Sequence, residues 1–385
     1  MPKALSTRTR KRFSLARFFK PLMRVISNMP PLVSRGNKPL EFTFEQELIA
    51  LILFHLEEHR SGQELLQFLD EDEVTRTIVG APGGVKKSTF YEAINTRGLT
   101  QMFHVFNELL RIVRRTLPTK YKHLGKLVAI DGSLINATLT MDWADYRNGT
   151  NKAKAHVGFD LNRSIPMKIH LDTGTSDERP YMSAILEPGQ TGVTDRYYQR
   201  YDMFDTLQED KKHYICRIKE RSRKSPLREN AIKPDSPVFY DAVVLLGTKG
   251  VNQTKKQHRV VAYKVDCTSY WVATDRFDLA SEDIMAIYKL RWNIETFFGW
   301  WKQHLNVYHH LARGSYGMMV QLLAGLITFL LLAIYCRNEF DEPVSIKRVR
   351  QLKNAIRTES RDPNFNPFEC MIWGPSSKNH AFAKT

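Results

Sequence analysis

Cysteine is scarce in this chain. Its four cysteines, at 216, 267, 336 and 370, are nowhere closer than 34 residues apart, and no CxxC pair occurs. That spacing speaks against a zinc ribbon or a disulfide framework and fits a reducing cytosol. Acidic residues are missing from positions 1–40, which hold ten Lys or Arg. No apolar h-region follows this basic start, so a secretory signal is not expected. Internal repeats are absent. Global disorder is excluded too, because 42% of the residues are hydrophobic and 20 more are Gly. A length of 385 residues suggests two or three domains. A net charge of +16 points to a polyanionic partner, either nucleic acid or an anionic membrane surface.

Two segments each admit more than one reading. In the arm, Arg8 to Arg24 mixes cations with Phe13, Leu15, Phe18, Phe19, Leu22 and Met23. It reads as a basic arm on DNA phosphates, a solvated tail or an Arg-rich transit peptide, and the first is favoured by the rest of the chain. From Met318 to Cys336 only Gln321, Gly325 and Thr328 interrupt an apolar run that approaches the membrane-spanning length. A core helix packed under a sheet gives the same pattern and is the expectation.

Helical spacing marks Phe44–Glu57, with a second helix, Gly62–Leu69, begun by Ser61. After the turn Gly80-Ala81-Pro82-Gly83-Gly84, Lys86 and Lys87 lead into a short helix, Thr89–Asn95, with Ser88 as N-cap. This outline suits a helix-turn-helix, and equally any small helical domain. A longer helix, Thr100–Arg115, ends near Pro118. Strands are then expected at Leu127–Asp131, Ala155–Asp160, Ile165–Leu171, Gly192–Asp195 and His213–Ile218. A polar stretch, 219–235, separates these from Val238–Leu246, Arg259–Val265 and Tyr270–Thr274. One helix is expected from Leu279 to about His304.

Asp131 and Asp195 each end an apolar strand. A carboxylate there is costly unless paired, and a divalent cation is a common partner, although strand-end Asp also caps turns. On the late helix Tyr288, Arg291, Glu295 and Lys302 fall on one polar stripe at about 100° per residue. Ile287, Leu290, Ile294, Phe297, Phe298 and Trp301 form an adjacent apolar stripe. The blander account is an exposed helix face with an i,i+4 Arg291–Glu295 pair.

Tyr288, Arg291, Glu295 and Lys302 have the Y-x2-R-x3-E-x6-K spacing of the bacterial insertion-sequence-four family of DDE transposases, which the chain resembles over about residues 120–340. The approaches to Asp131 and Asp195 look like that family's first two catalytic boxes, and the segment from Lys154 through His156 to Asp160 is also similar. Tyr197-Tyr198 departs from the Gly-Tyr often found after the second Asp-Arg. The resemblance implies an α/β, RNase H-like mixed-sheet catalytic core with a β-rich insertion, preceded by an all-helical DNA-binding domain. The expected segments are a basic arm (1–40), a helical DNA-binding domain (41–118), the first part of the core (119–218) and the insertion (219–278). The catalytic and buried helices (279–340) complete the core, followed by a basic tail (341–385).

It further implies catalysis by Asp131, Asp195 and Glu295 on two Mg²⁺ ions about 4 Å apart, with Mn²⁺ as a substitute. Asp131 would bridge the metals, with Asp195 on one and Glu295 on the other. Arg291 and Lys302 would hold phosphates of double-stranded DNA at the transposon end, and Tyr288 would hydrogen-bond the same strand. Relatives of this kind nick DNA, form a hairpin by flipping a base onto an aromatic ring, and join the ends to target DNA. Trp271 is the first candidate for that ring and Tyr270 the second; an inward-facing strand Trp is the alternative. A homodimer on DNA, a bacterial cytoplasmic, nucleoid-associated location and no membrane partner are expected. The rival function is a catalytically silent, transposase-derived DNA-binding protein.

Overall fold

The computed structural model describes residues 13–30, 32, 40–138, 140–305, 307–363 and 365–366. Positions 1–12 and 33–39 of the expected basic arm, and 367–385 of the tail, lie outside them. The chain forms two units, one of residues 1–118, 138–143 and 300–385, the other of 119–137 and 144–299. The apolar helix thus groups with the N-terminal helices rather than with the sheet, unlike the expected segment 279–340. The division falls within helix Trp292–His304.

The first unit is helical. Thr43 and Gln46 form a reciprocal capping box that starts Phe44–Leu56, and Ser61 caps Gly62–Glu71 through Glu64 N–H at 3.1 Å. Asp72 caps an additional short helix, Glu73–Val79. The next helix, Lys87–Thr96, starts earlier than expected, with Lys86 at the N-cap, so Ser88 lies within its first turn. Helix Ser315–Phe340 is long and apolar enough to cross a membrane, yet it is buried among Leu99–Thr116, Phe44–Leu56, Lys87–Thr96 and Ser14–Ile26. Helices, not a sheet, enclose it, which explains apolar residues on all its faces. Ser14–Ile26, inside the expected arm, is itself a packed helix. Leu15, Phe18, Phe19 and Leu22 are fully buried, and the Glu359 carboxylate accepts from Ser14 N–H at 2.6 Å. Its aromatic residues serve this packing rather than a chain laid along phosphates.

The second unit is built on one nine-stranded sheet. Its strands are β1 (Lys126–Asn136), β2 (Lys152–Asp160), β3 (Ile165–Thr173), β4 (Gln190–Thr194), β5 (His213–Ile218), β6 (Lys224–Glu229), β7 (Val238–Leu246), β8 (His258–Val265) and β9 (Thr268–Thr274). The order is β3-β2-β1-β4-β5-β9-β8-β7-β6, with β1–β4 and β4–β5 parallel and the other pairs antiparallel. The first five strands form the expected RNase H-like core. The insertion does not make a separate sheet but extends this one. β6, which falls in the stretch read as irregular, is an edge strand with charged side chains and Pro226 at a register shift. Such edges lack the alternating pattern of buried strands.

Buried polar ties hold the added strands to the core. Arg259 bonds Asp241 at 2.8 and 2.6 Å and donates to Leu279 O at 2.6 Å. Arg276 reaches from the end of β9 to Leu124 O (3.1 Å) and Thr191 Oγ1 (2.8 Å), beside the starts of β1 and β4. Asn162, after β2, accepts from Leu127 N–H at 2.8 Å and fixes the entry of β1.

The first unit also contains an uncompensated acid. Glu47, on Phe44–Leu56, is fully buried and neither carboxyl oxygen has a hydrogen-bond partner. Burial pushes it up to about 8, against the pull of Arg97. Because its folded pKa exceeds the unfolded one, Glu47 costs no stability below the ordinary carboxyl range and progressively more as pH rises toward 8. Glu47→Gln should therefore match the parent near pH 4 and exceed it near pH 8 by on the order of 3 kcal/mol in urea unfolding. Equal pH dependence in the two proteins would remove this assignment.

Candidate active site

The register of β1 positions the site. Its first four residues, Lys126–Ala129, pair with β4 at Gln190–Val193, whereas β2 stays paired with β1 from Val128 to Asn136. β4 ends at Thr194. Asp131 and Asp195 therefore stand just past the point where two parallel strands part, where crevices open in α/β sheets. Asp195 caps the short 3-10 helix Arg196–Tyr198, accepting from Tyr197 N–H at 2.9 Å. Its own carbonyl accepts from Cys216 Sγ on β5 at 3.3 Å. Asp131 accepts from Gly132 N–H at 2.9 Å.

The late helix is interrupted. Ser281–Leu290 and Trp292–His304 are separated by Arg291 alone, whose backbone keeps right-handed helical angles (φ −51°, ψ −34°). Its N–H donates to Tyr288 O at 3.1 Å, so only the hydrogen-bond pattern lapses there. Arg291 Nη2 bonds Glu295 Oε1 at 2.5 Å, and Nη1 lies 3.9 Å from Asp131 Oδ2. The i,i+4 ion pair considered from the sequence is thus present, and the guanidinium also links Glu295 to Asp131. Tyr288 is buried, which pushes its phenol up to about 12. Lys302 belongs to the first unit, with Nζ 5.6 Å from the Tyr308 ring centroid. Of the four polar residues, Tyr288, Arg291 and Glu295 are brought together in the second unit.

Electrostatics mark Asp131 as the strained member. Burial and then the adjacent Asp195 push its carboxyl up to about 7, Glu178 adds to the rise, and Arg291 opposes it. Glu178 and Lys154 were not among the residues selected from sequence. Lys154 Nζ lies 3.1 Å from Glu178 Oε1, and a Cβ at position 132 would be 3.0 Å from that same oxygen. Glu178 precedes helix Arg179–Ile185, so strand-end reasoning could not find it. Gly192 admits that helix region: a Cβ there would be 2.9 Å from Leu186 Cδ1. Tyr198 stands where the motif's own Tyr falls, next to the departing Tyr197, and was given no role from sequence. It is fully buried with its hydroxyl unpartnered, and burial, then Glu178, Asp131 and Asp195, raise its pKa far above the usual phenol range.

Among the described residues no three His, Cys, Asp or Glu side chains converge on one ion position, and Arg291 occupies the bond to Glu295. The donor chemistry nonetheless fits a hard divalent cation. Neighbouring carboxylates in a half-buried place, one of them driven toward protonation, are what such an ion relieves.

The two aromatic candidates face opposite ways. Tyr270 stacks on Tyr263 at 5.4 Å, lies 4.6 Å from the Arg217 guanidinium and 6.2 Å from Tyr288. Trp271 instead meets Phe239 (5.7 Å) and Tyr240 (5.3 Å), under Lys224 Nζ at 4.4 Å. Successive strand residues alternate faces, so it is Tyr270 that shares a face with Tyr288. Trp271→Ala should lower stability by about 2–3 kcal/mol while leaving the ratio of hairpin to nicked DNA unchanged. Tyr270→Ala should depress that ratio roughly tenfold. Product gels beside denaturation curves distinguish the two, and the reverse pattern would return the stacking role to Trp271.

Comparison with known proteins agrees with this architecture. The model of the transposase DDE domain matches residues 122–331. A probable transposase for insertion sequence element IS5377 of Geobacillus stearothermophilus is 30% identical over 212 residues, 54% of this chain and 55% of the relative. The chain thus spans about half the length of that relative. A protein named as transposase y4zB, of Sinorhizobium fredii, is 26% identical over 277 residues, covering 68% of this chain and 78% of its own. One named as the transposase for insertion sequence element IS4SA, of Synechocystis, is 24% identical over 262 residues, or 64% and 71%. With the matched stretch spanning Asp131, Asp195, the late helix and the strands between, this chain belongs to the transposase DDE-domain family.

Proposed function

We propose that this protein is a DNA transposase acting on the terminal inverted repeats of an insertion sequence, with Asp131, Asp195 and Glu295 as its catalytic acids. The observation that carries the reading is the placement of Asp131, within β1 just past its last pair with β4, beside Asp195, which follows the end of β4, with Arg291 linking Asp131 to Glu295. The three acids would hold two Mg²⁺ ions, with Mn²⁺ as a substitute. Bound ions would supply charge stabilisation for the attacking and departing oxygens of a phosphodiester.

The residues of the chain prepare that chemistry. Arg291 neutralises Glu295 and steadies Asp131 in the protein alone; DNA phosphate competes for its guanidinium and frees the Glu295 carboxylate. The same move brings a cation onto the strand to be cut. Arg217 and Tyr270 are half-buried beside the buried Tyr288, where Arg217 suits a phosphate and Tyr270 an unstacked base. Lys302 would hold a further phosphate. Hairpin formation and strand transfer follow from the family resemblance, as does pairing of two ends by a homodimer. Burial of Ser315–Phe340 supports a protein without a membrane span, acting on double-stranded DNA in the bacterial cytoplasm, at the nucleoid.

Asp131→Asn, Asp195→Asn and Glu295→Gln preserve side-chain shape but remove charge. Each should reduce Mg²⁺-dependent cleavage of inverted-repeat DNA on the order of a thousandfold, with end binding nearly unchanged in a mobility-shift assay. Robust nicking by any one of them would remove that residue from the catalytic set.

A further inference from the structure

A second surface carrying exposed cations lies beside the acids. A groove of about 1560 Å³ in the second unit begins at Gly132, next to Asp131, and runs past Glu178 and Tyr197 to the loops around 221 and 253. Drug-sized ligands occupy enclosed sites of about 300–1,000 Å³, so this open trough suits a polymer better than a small molecule. Its lining includes Arg147, Arg196, Lys219, Arg221, Arg223 and Lys255. None of these six has an acidic partner within 4 Å among the described residues, whereas Lys154, Arg179 and Arg200 in the same groove are each paired with a carboxylate. The six unpaired cations come from four segments of the chain, three of them from the single connection 219–223, and all six are exposed. Tyr197, 72% exposed, stands among them at the end nearest Asp195.

The geometry points to this groove as the seat of the acceptor duplex, the target DNA into which a cut end is joined. The inference rests on the transposase reading above. Joining needs two DNA segments at one set of acids, and Tyr288, Arg291 and Tyr270 already occupy one flank. The groove supplies a second surface, of mixed polar and apolar lining, on which these cations are left without a carboxylate partner. Contacts of that kind neutralise phosphates without reading sequence, as binding to varied target DNA requires. The step it would serve is a transesterification. The 3′-hydroxyl oxygen of the cut end forms a bond to a target phosphorus, and the bond from that phosphorus to the target's own 3′ oxygen breaks. The proton lost by the attacking hydroxyl is matched by the one gained by the departing oxygen, so no oxidant or reductant is required.

The test uses the full-length chain carrying Lys219→Ala, Arg221→Ala and Arg223→Ala together, three exposed residues outside the cleavage machinery. Uncut inverted-repeat DNA for nicking, precut ends for binding and joining, and a supercoiled plasmid are supplied, and a melting curve establishes that the variant is folded. End binding and first-strand nicking should stay within about twofold of the parent. Joining to the plasmid should fall roughly tenfold to a hundredfold at 150 mM salt and recover toward parent levels at 50 mM, because about three phosphate contacts are lost. Joining at the parent rate would overturn the proposal. So would a parallel fall in end binding, nicking and joining, which would assign the groove to the donor end. If the parent neither nicks nor joins, the enzyme reading fails by itself. The groove is then judged on affinity for plasmid DNA lacking the repeats: a loss in the variant supports it, and no loss overturns it.

Discussion

Two like charges are held where they repel each other. Asp131 lies within β1, rather than at its end as the residues suggested, and Asp195 follows the parallel neighbour β4, so the sheet register fixes where both backbones sit. Burial alone disfavours a carboxylate, and a second carboxylate nearby disfavours it further. The consequence is visible in Asp131, whose carboxyl is pushed up to about 7. Much of the surrounding architecture can be understood as holding this pair together and providing positive charge beside it. Arg291 contributes a guanidinium toward both Asp131 and Glu295, and Lys154 balances Glu178. A site that contains more acid than cation is poised to take up further positive charge.

Rigidity comes from ties at the opposite ends of these strands. Arg276 binds the starts of the central strands from the end of β9, and Asn162 holds the entry of β1. Buried charged pairs such as Asp241–Arg259 anchor the added strands. Losing one partner of such a pair typically costs about 3–5 kcal/mol, so these ties resist rearrangement. The inserted strands are thereby fixed to the core sheet, and β9 presents Tyr270 to the same surface as Tyr288.

Much of this was legible in the residues. Alternation and turn residues located eight of the nine strands. The strand-end acids stood out because a carboxylate beside an apolar run needs a reason. The edge strand β6 was not legible, since its charged, Pro-containing stretch carries no alternating pattern. Nor was the lapse in helical hydrogen bonding at Arg291, since the spacing on both sides of it is helical and its own backbone angles stay so. The direction of Trp271 depended on strand register, which shifts faces with a single residue. Glu178 acts on Asp131 only through folding, being 47 positions away in the chain, and Lys154 enters only as the partner of Glu178. The run from Met318 to Cys336 was correctly read as a core helix, but what encloses it is a set of helices, and hydropathy does not distinguish helical from sheet neighbours.

The central claim is that Asp131 and Asp195 form a charge-repelling pair that a divalent cation relieves. Thermal melting of the parent, Asp131→Asn and Asp195→Asn proteins, each with and without Mn²⁺, tests it without reference to activity. Without metal, both variants should melt above the parent, because one of two opposed charges is gone. With Mn²⁺ the parent should gain stability and the variants should gain little. Variants that melt below the parent without metal, or that respond to Mn²⁺ as fully as the parent does, would contradict the account.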